Sequence, residues 1–396
     1  MEDKKANVLI VHNYYQIPGG EDTVVANEMK LLADNGHQVS LYSRNNSELA
    51  KFTKLQKSLL PLMTVFNLKT YKEIRKIIRE KKIDIVHVHN TLNLVSPSVY
   101  YAAKSCNVPV VQTIHNFRLL CPAATFYRDG HICEDCVQKG LFCSVKHNCY
   151  RGSKVQTLAC VITTKIHKAL GIYRKINYIC LAEFNKDKLL MLNKPGKRKT
   201  IMPEKVFIKP NMTYRQMETI VGEKQSYYLF AGRIEAIKGM DILINAFEKI
   251  PEKQLVIAGT GTQLEAYKES VSERQLKNID FLGFVEPSKL KNLMKGARAL
   301  IVPSQWYETF GMTVIEAFSV GTPVIAADIG NLSSLIKEGI NGWKFRYDSV
   351  DELIEKINLC DIVPAEQLQV QCEDVLFPEG NYKILNQIYK EIIEKT

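Results

Sequence analysis

The chain has 396 residues, with 46% hydrophobic and 24% charged side chains and a formal net charge of +11 at pH 7. This length allows two domains with separate cores, and the composition is that of an ordinary globular protein. The longest apolar stretch, around residues 59–68, is interrupted by Pro61 and Asn67, which excludes it as a helix that spans a bilayer. The first residues lead straight into a predicted strand and leave no room for a secretory signal, so we expect a cytoplasmic location.

Only the first half of the chain has a net positive charge. Residues 1–210 hold 33 basic and 16 acidic side chains, whereas residues 211–396 hold 20 and 26. This asymmetry predicts an anionic partner for the first half. We expect no nucleic-acid partner, because the sequence shows no helix-turn-helix, zinc-finger or RNP-type pattern. An anionic membrane surface fits better.

The N-terminal residues predict a β-loop-α-β unit. Residues 7–12 form a buried-type strand, residues 23–36 a helix closed by glycine, and residues 38–43 the next strand. The pair Gly19 and Gly20 falls between the first strand and the helix, at the sheet edge where the backbone of α/β proteins approaches ligands. A plain proline–glycine turn is the alternative explanation.

Residues 51–82 combine ten basic and two acidic side chains with interspersed apolar ones. This composition is typical of an amphipathic segment on anionic lipid, and it predicts contact with a membrane surface. Its second part carries an apolar stripe of Ile74, Ile77 and Ile78. For residues 69–82 alone, an equal alternative is a helix that packs its apolar face on the core and exposes its basic face to solvent.

Strands and helices continue to alternate up to residue 210, where we place the domain boundary. Strands are predicted at residues 83–89, 108–115, 177–182 and 206–208, and helices at residues 97–106 and 183–192. His115 falls at the carboxyl end of its strand, where parallel sheets place ligand contacts. His87 and His89 alternate along the preceding strand, so at least one of them should face neighbouring structure. Residues 121–152 are expected to form an irregular, cysteine-rich insert.

The second half repeats the order of strands and helices and ends in a helix from about residue 378. This βαβα order predicts parallel sheets with helices on both faces. A glycine loop after its first strand contains Gly232, Arg233 and Lys238. No Asp-x-Asp motif stands at a strand end to hold Mg²⁺, so Arg233 and Lys238 are candidates for two fixed cations that stabilise a leaving diphosphate. Ordinary surface charge is the alternative.

Residues 299–316 hold the most informative pattern. Residues 299–303 have the apolar character of a buried strand, and a helical pattern begins at Met312. A strand, a loop and a helix in this order present free backbone N–H groups to phosphate, while Glu308 and Glu316 reach ligand hydroxyls from two sides. Phosphate and hydroxyls in one crevice indicate a sugar nucleotide. The alternative is one solvent-facing glutamate and one that complements the helix dipole.

This segment, PSQWYETFGMTVIEA, closely resembles the donor-site signature of family 4 retaining glycosyltransferases. Residues 232–239, GRIEAIKG, are similar to the donor loop of that family. The resemblance implies the α/β GT-B fold, with two Rossmann-like parallel-sheet domains facing across a cleft. Residues 1–210 would form the acceptor- and membrane-facing domain and residues 211–377 the nucleotide-sugar donor domain, with a helix at residues 378–396 crossing back to the first domain.

The resemblance also implies roles for single residues. Glu316 would hold the ribose hydroxyls and Glu308 the hydroxyls of the transferred sugar. Arg233 and Lys238 would hold the diphosphate, and catalysis would need neither a metal nor another cofactor. His115 would lie near the C6 side of the sugar, because the family carries a histidine at this position.

A set of donor contacts follows from the same resemblance. It consists of Gly19, Gly20, Gly232, Thr309, Phe310, Gly311, Met312, Thr313, Glu316, Gly330 and Asn331. The family usually has two consecutive glycines where this chain has Gly330 and Asn331. A backbone contact to the donor is therefore least expected at these two residues.

We therefore expect a peripheral enzyme on the cytoplasmic face of the cell membrane. It would transfer a hexose or N-acetylhexosamine from a UDP- or GDP-sugar to a lipid-linked oligosaccharide, in the assembly of bacterial capsule, exopolysaccharide or O-antigen. Two alternatives share parts of the pattern. A GT-B sugar-nucleotide epimerase would bind the same donor without needing a basic face, and a catalytically silent membrane scaffold would keep the basic face without needing the two glutamates.

Five of the ten cysteines lie within 29 residues. Cys133 and Cys136 have the spacing by which two thiolates reach one tetrahedral ion, and a cytosolic chain disfavours structural disulfides. The sequence predicts a structural zinc held by these two and by two of Cys121, Cys143 and Cys149. Because a second C-x-x-C is missing, unligated thiols or a disulfide formed on oxidation are the alternatives.

Overall fold

The computed structural model describes residues 5–16, 19–214, 225–364 and 367–396. The chain divides into two compact units. The first comprises Met1–Phe126, Cys133–Met212 and Pro378–Thr396, and the second comprises Tyr127–Ile132 and Thr213–Phe377. Each unit holds one six-stranded sheet with helices, which is the α/β architecture expected from the sequence.

The first unit is built around a parallel sheet. The strands up to residue 208 are β1 (Asn7–Tyr14), β2 (Gln38–Asn45), β3 (Ile85–Val88), β4 (Val110–Ile114), β5 (Tyr127–Arg128), β6 (His131–Ile132), β7 (Asn177–Cys180) and β8 (Val206–Ile208). β5 and β6 form a separate antiparallel hairpin, which belongs to the second unit, and the other six pair in parallel in the order β2-β1-β3-β4-β7-β8. Val8, Leu9, Ile10 and Val11 of β1 are fully buried, because helices cover both faces of a parallel sheet.

Eight α-helices connect these strands in the described part of the chain. They are α1 (Gly20–Asp34), α2 (Lys54–Val65), α3 (Leu68–Glu80), α4 (Ser98–Lys104), α5 (Asp135–Gln138), α6 (Phe142–Lys146), α7 (Lys154–Ala169) and α8 (Glu183–Leu190). The start of α2 is fixed by Thr53, whose side chain accepts from Gln56 N while Gln56 bonds back to the Thr53 backbone. The start of α7 is capped by Ser153, whose side chain accepts from Gln156 N.

The second unit has the same layered architecture. Its strands are β9 (Tyr227–Ala231), β10 (Gln254–Ala258), β11 (Ile279–Gly283), β12 (Leu300–Val302), β13 (Val324–Ala327) and β14 (Gly342–Phe345). Its helices are α9 (Met240–Lys249), α10 (Leu264–Glu273), α11 (Pro287–Gly296), α12 (Met312–Ser319), α13 (Leu332–Leu335) and α14 (Val350–Ile362). The strands pair in parallel in the order β11-β10-β9-β12-β13-β14. The chain order reverses between β9 and β12, so the loops after these two strands open side by side at the carboxyl edge.

The last helix, α15 (Pro378–Glu394), belongs to the first unit, as the resemblance implies. Its Leu385 and Ile388 lie in the same buried cluster as Val8 and Ile10 of β1. The core of the first unit is therefore assembled from segments that are far apart in the chain.

Two segments differ from the expectation. Residues 121–152, expected to be irregular, contain the β5–β6 hairpin and the short helices α5 and α6. Apolar periodicity does not predict α7, because Thr157 and Thr163 are buried together with Val161, whereas Ile162 and Ile166 are exposed. An apolar stripe on a helix normally faces the core, and the stripe of α7 does not.

Candidate functional site

A carboxylate with three hydrogen-bond donors lies in the loop between β12 and α12. Glu308 Oε1 accepts from Lys238 Nζ at 2.6 Å, from Ser304 Oγ at 2.7 Å and from Trp306 Nε1 at 2.8 Å. Burial raises the pKa of Glu308, but the charge of Lys238 and these hydrogen bonds outweigh burial and hold the pKa below its usual value. Glu308 is therefore a fixed anion, and the half-buried Thr309 follows it in the loop.

A glycine allows the loop after β9 to approach the loop after β12. Gly239 has a φ of +81°, and a Cβ there would lie 1.8 Å from the carbonyl oxygen of Pro303. Only glycine fits this contact. The close approach sets Lys238 against Glu308, and Lys238 Nζ also lies 5.0 Å from the centre of the Trp306 ring.

Arg233 shares the glycine loop with Lys238 but lies in a different environment. Its side chain is 57% exposed, and its Nη1 donates to Glu235 Oε1 at 3.3 Å. Gly232 precedes it directly at the end of β9. The structure thus brings Lys238 to Glu308 and leaves the Arg233 guanidinium at the surface, where a ligand has access to it.

The N-terminus of α12 follows the same loop. Gly311, at a φ of +97°, precedes Met312 and Thr313, whose N–H groups lie in the first turn and have no acceptor within the helix. Glu316 lies about one turn further on, and burial raises its pKa despite the opposing charge of Lys291. The helix start therefore offers backbone donors with a carboxyl group nearby.

Asn331 ties this loop to α13. Its Nδ2 donates to Phe310 O at 2.7 Å, and its Oδ1 accepts from Ser334 Oγ at 2.9 Å. Gly330 has a φ of +57°, and a Cβ there would lie 3.1 Å from Tyr307 Cδ1. Asn331 stands where the related family usually has the second of two glycines, and its side chain adds a hydrogen bond that fixes the loop backbone at Phe310.

His115 belongs to a buried histidine cluster of the first unit. Its Nε2 lies 2.9 Å from His89 Nδ1, and the two rings stack with their centres 5.2 Å apart. Burial and the neighbouring histidines lower the pKa of both residues, that of His89 to about 4. Both rings are therefore neutral near pH 7, and in the bond between them one ring donates and the other accepts.

Sequence reasoning missed the carboxylate behind these histidines. Glu28 Oε2 accepts from Lys209 Nζ at 2.8 Å, and Glu28 Oε1 lies 3.0 Å from His87 Nδ1 and 3.4 Å from His89 Nε2. Glu28, His87 and His89 form a group of metal-ligand type, with ligand atoms within 4.8 Å of one another. Lys209 already compensates the charge of Glu28, so the charge balance of the group requires no metal ion.

Gly19 and Gly20 lie at the start of α1 in open space. A Cβ at either position would meet no described heavy atom within 4 Å beyond the immediate neighbours in the chain. Gly19 N donates to Asp22 Oδ2 at 3.0 Å, and Asp22 Oδ1 lies 2.8 Å from His12 Nε2. Packing does not require glycine here, so the pair leaves the backbone accessible near the carboxyl end of β1.

The five clustered cysteines form no disulfide. Cys136 lies near Cys121, Cys143 and Cys149, and burial together with these thiols raises the pKa of Cys136 to about 12. Cys133 is half-buried. Among the residues that the structure describes, no three of the five sulfurs lie within 4.8 Å of one another. Zinc would have to draw them together, and zinc binding stays a prediction.

The basic segment, residues 51–82, forms α2 and α3, and the two helices differ in what they bury. Ile74 and Ile78 of α3 are buried, so its apolar stripe is a core face, which is the alternative explanation of that stretch. Leu55 and Leu62 of α2 are exposed. Within the described ranges, no helix has the length and apolar character needed to cross a membrane.

Both halves of the chain match known families. Residues 18–131 match the family described as Glycosyltransferase Family 4, and residues 216–360 match the family described as Glycosyl transferases group 1. A glycosyltransferase of Methanocaldococcus jannaschii is 37% identical over 130 residues, which are 32% of this chain and 33% of that protein. A 42.6 kDa protein in the cps region of Klebsiella pneumoniae is 24% identical over 359 residues, which are 83% of this chain and 87% of that protein.

The fold also has a solved counterpart. The crystal structure of HepE from Anabaena in complex with UDP superimposes with a TM-score of 0.62 at 16% identity. The match covers 98% of this chain and 99% of that one. At such an identity the likeness concerns the fold alone.

Proposed function

Since the chain belongs to the family 4 glycosyltransferases and has the GT-B fold, we propose that it transfers a sugar from a nucleotide donor to a lipid-linked acceptor with retention at the anomeric carbon. The donor is a UDP- or GDP-activated hexose or N-acetylhexosamine. The acceptor is a lipid-linked oligosaccharide of bacterial surface polysaccharide assembly. The similarity to a cps-region protein and to a fold that binds UDP supports this choice.

The observation that carries the proposal is the ionised Glu308, held beside Lys238 at the carboxyl edge of the second sheet. Because Lys238 engages Oε1, the other carboxylate oxygen would accept from the hydroxyls of the transferred sugar. Lys238 and Arg233 would stabilise the charge that develops on the leaving diphosphate, without a metal ion. The N–H groups of Met312 and Thr313 would add donors for the phosphates.

The remaining predicted residues complete this assignment. Glu316 would hold the ribose hydroxyls, and His115 would contact the transferred sugar. A neutral imidazole suits a hydroxyl partner, because it donates at one nitrogen and accepts at the other without adding charge. No protein nucleophile is assigned, so retention would follow from attack of the acceptor on the face that the diphosphate leaves. Gly19 and Gly20 would leave room for the donor phosphates and the acceptor.

We assign the enzyme to the cytoplasmic face of the cell membrane, where residues 51–82 would contact anionic lipid. The exposed leucines of α2 and the ten basic side chains of this segment support the assignment. We also retain the proposal of a structural zinc at the cysteine cluster, which would order residues 121–152 and take no part in the reaction.

A donor screen tests the proposed function. Purified protein is incubated with labelled UDP- and GDP-sugars, with and without membrane lipid extract. We expect one donor to be consumed and its label to enter the lipid fraction, with little change on addition of EDTA and with Glu308→Gln as the inactive control. An epimerase would instead convert its donor without lipid, and a silent scaffold would leave every donor intact.

A further inference from the structure

An open pocket of about 70 Å³ lies within the first unit, at the carboxyl ends of β3 and β4. Thr64 of α2 and Thr163 and Thr164 of α7 form one side of it. His115 and Arg118, which follow β4, form another. The donor contacts assigned above use only His115 among these residues, so the rest of the pocket has no role in donor binding.

Arg118 sets the charge of this pocket. Among the described residues that line it, none is acidic, His89 and His115 are held neutral, and Arg118 alone carries a permanent charge. A pocket with one cation and no anion favours an anionic ligand.

The contacts of Arg118 leave its charge uncompensated. Its Nη1 donates to Pro122 O at 2.7 Å, and its guanidinium carbon lies 4.9 Å from the centre of the Tyr150 ring. Both partners are neutral, and Arg118 forms no ion pair within the described residues. The nearby Glu21 has its pKa raised to about 8 by burial, so it is mostly protonated at neutral pH. Arg118 also hydrogen-bonds to the thiol of Cys160, which burial keeps neutral. The guanidinium thus keeps its charge, and a planar guanidinium suits the recognition of phosphate.

The two helices that wall the pocket present apolar outer faces. Leu55 and Leu62 of α2 and Val155 and Leu170 at α7 are each between 64% and 69% exposed. α2 and α7 contain no acidic residue and together hold five lysines. Exposed apolar side chains interspersed with lysines are the composition that favours an anionic lipid layer.

We propose that this pocket binds a phosphate group of the lipid-linked acceptor through Arg118, while the lipid chain lies along the exposed faces of α2 and α7. The inference rests on the proposed function and names the group through which its acceptor is recognised. A soluble anion would account for Arg118 but not for the apolar faces on either side. A neutral lipid would account for those faces but not for an uncompensated guanidinium.

Farnesyl diphosphate is a suitable probe, since it joins a diphosphate to a short hydrocarbon chain. Calorimetric titration below its micelle-forming concentration is compared with titrations of farnesol and inorganic pyrophosphate. The wild-type chain should bind farnesyl diphosphate more tightly than either of these. Arg118→Gln should weaken that binding on the order of 30-fold, as expected for the loss of one partner of a desolvated charge pair.

Arg151→Gln is the matched control. Arg151 also lies over the Tyr150 ring, at 5.5 Å, but it does not line the pocket, so this variant should bind as the wild type does. The midpoint of thermal unfolding reports whether each variant is folded, and UDP affinity reports whether its donor site is intact. If Arg118→Gln does not fold, Thr64→Leu narrows the pocket from α2 and should weaken the same binding.

Three outcomes decide the matter. Equal affinity of the wild type and a folded pocket variant for farnesyl diphosphate would overturn the inference. Pyrophosphate binding as tight as that of farnesyl diphosphate would also overturn it, because the ligand would then be a soluble anion. Sugar transfer is measured separately: its absence with farnesyl diphosphate binding intact would reject the proposed function and leave the phosphate pocket standing.

Discussion

Lys238 Nζ lies 2.6 Å from Glu308 Oε1, and the two residues reach each other from loops that follow different strands of the second sheet. The resemblance assigns them to different parts of a donor, the diphosphate and the transferred sugar. Their contact makes each dependent on the other, because the lysine charge is what keeps a buried carboxyl ionised. A substitution of Lys238 should therefore change the protonation of Glu308.

Replacing Lys238 by alanine should lower turnover by about 10²–10³ and should also change its pH dependence. Without the lysine charge, burial raises the pKa of Glu308, so the ionised fraction falls at a given pH and activity should recover as the pH rises. Arg233→Ala should lower turnover without moving the pH profile, since Arg233 bonds to Glu235 instead. Rates measured from about pH 5 to 9 test this, and a Lys238→Ala profile parallel to that of the wild type would contradict it.

Gly239→Ala should destabilise the second unit and impair donor binding. Gly239 and Gly321 both have positive φ, +81° and +73°, so alanine strains either backbone by roughly 1 kcal/mol. Only at Gly239 would the new Cβ lie 1.8 Å from Pro303 O, whereas nothing described lies within 4 Å at Gly321. Gly239→Ala should therefore cost at least about 1 kcal/mol more in urea unfolding than the control Gly321→Ala. Equal losses would show that the contact with Pro303 relaxes freely.

Acid should weaken the first unit through its buried histidines. The pKa of His89 is about 4 in the folded chain, against 6.5 for an ordinary histidine. Between these values the unfolded state binds more protons, so this contribution to stability is complete above pH 6.5 and is lost as the pH falls toward 4. Urea unfolding at several pH values in this window should show a shallower loss for His89→Gln than for the wild type. The exposed His131 provides the control, and His131→Gln should keep the wild-type slope.

Charge reversal should separate the contributions of α2 and α3 to membrane binding. Lys54→Glu with Lys57→Glu alters α2, whose leucines are exposed, and Lys72→Glu with Lys76→Glu alters α3, whose apolar stripe is buried. At about 1 kcal/mol per basic side chain near the surface, the α2 pair should weaken sedimentation with anionic vesicles more than the α3 pair, and salt should weaken binding of the wild type. Wild-type binding by both variants at low salt would point to another surface.

Elemental analysis decides the zinc prediction. Protein purified without added metal should contain about one equivalent of zinc, because four thiolates of the cluster would close a tetrahedral site. Cys106→Ser serves as the control, since Cys106 lies outside residues 121–152, and it should leave the zinc content unchanged. Zinc well below one equivalent, with Cys121, Cys133, Cys136, Cys143 and Cys149 all reactive toward a thiol reagent in the native state, would end the hypothesis.

Local patterns were enough to predict both sheets and the segment that carries Glu308, because strand and helix periodicities act over short stretches of chain. Contacts that depend on how distant segments meet were not accessible in this way. Lys238 and Glu308 are 70 positions apart, and Glu28 and Lys209 are 181 apart. Neither contact can be predicted from the neighbouring sequence. A lysine or glutamate is normally solvent-exposed, and only the tertiary structure shows that these residues are buried.

The packing of α7 was also not predictable from local sequence patterns. Its isoleucines are on the exposed side, and its buried side combines threonines with Cys160 and Val161, which departs from the rule that connects apolar periodicity with a core. The buried threonines Thr163 and Thr164 line a polar pocket, and the sequence alone did not predict that pocket.

The placement of α15 has a consequence for biosynthesis. Residues 378–394 leave the ribosome after the whole second unit, yet their Leu385 and Ile388 complete a core that begins with Val8 and Ile10. Until they arrive, apolar surface beside β1 stays uncovered for as long as translation takes to cross the second unit, and such surface promotes aggregation. The core of the unit that is synthesised first therefore closes only after the second unit has been made.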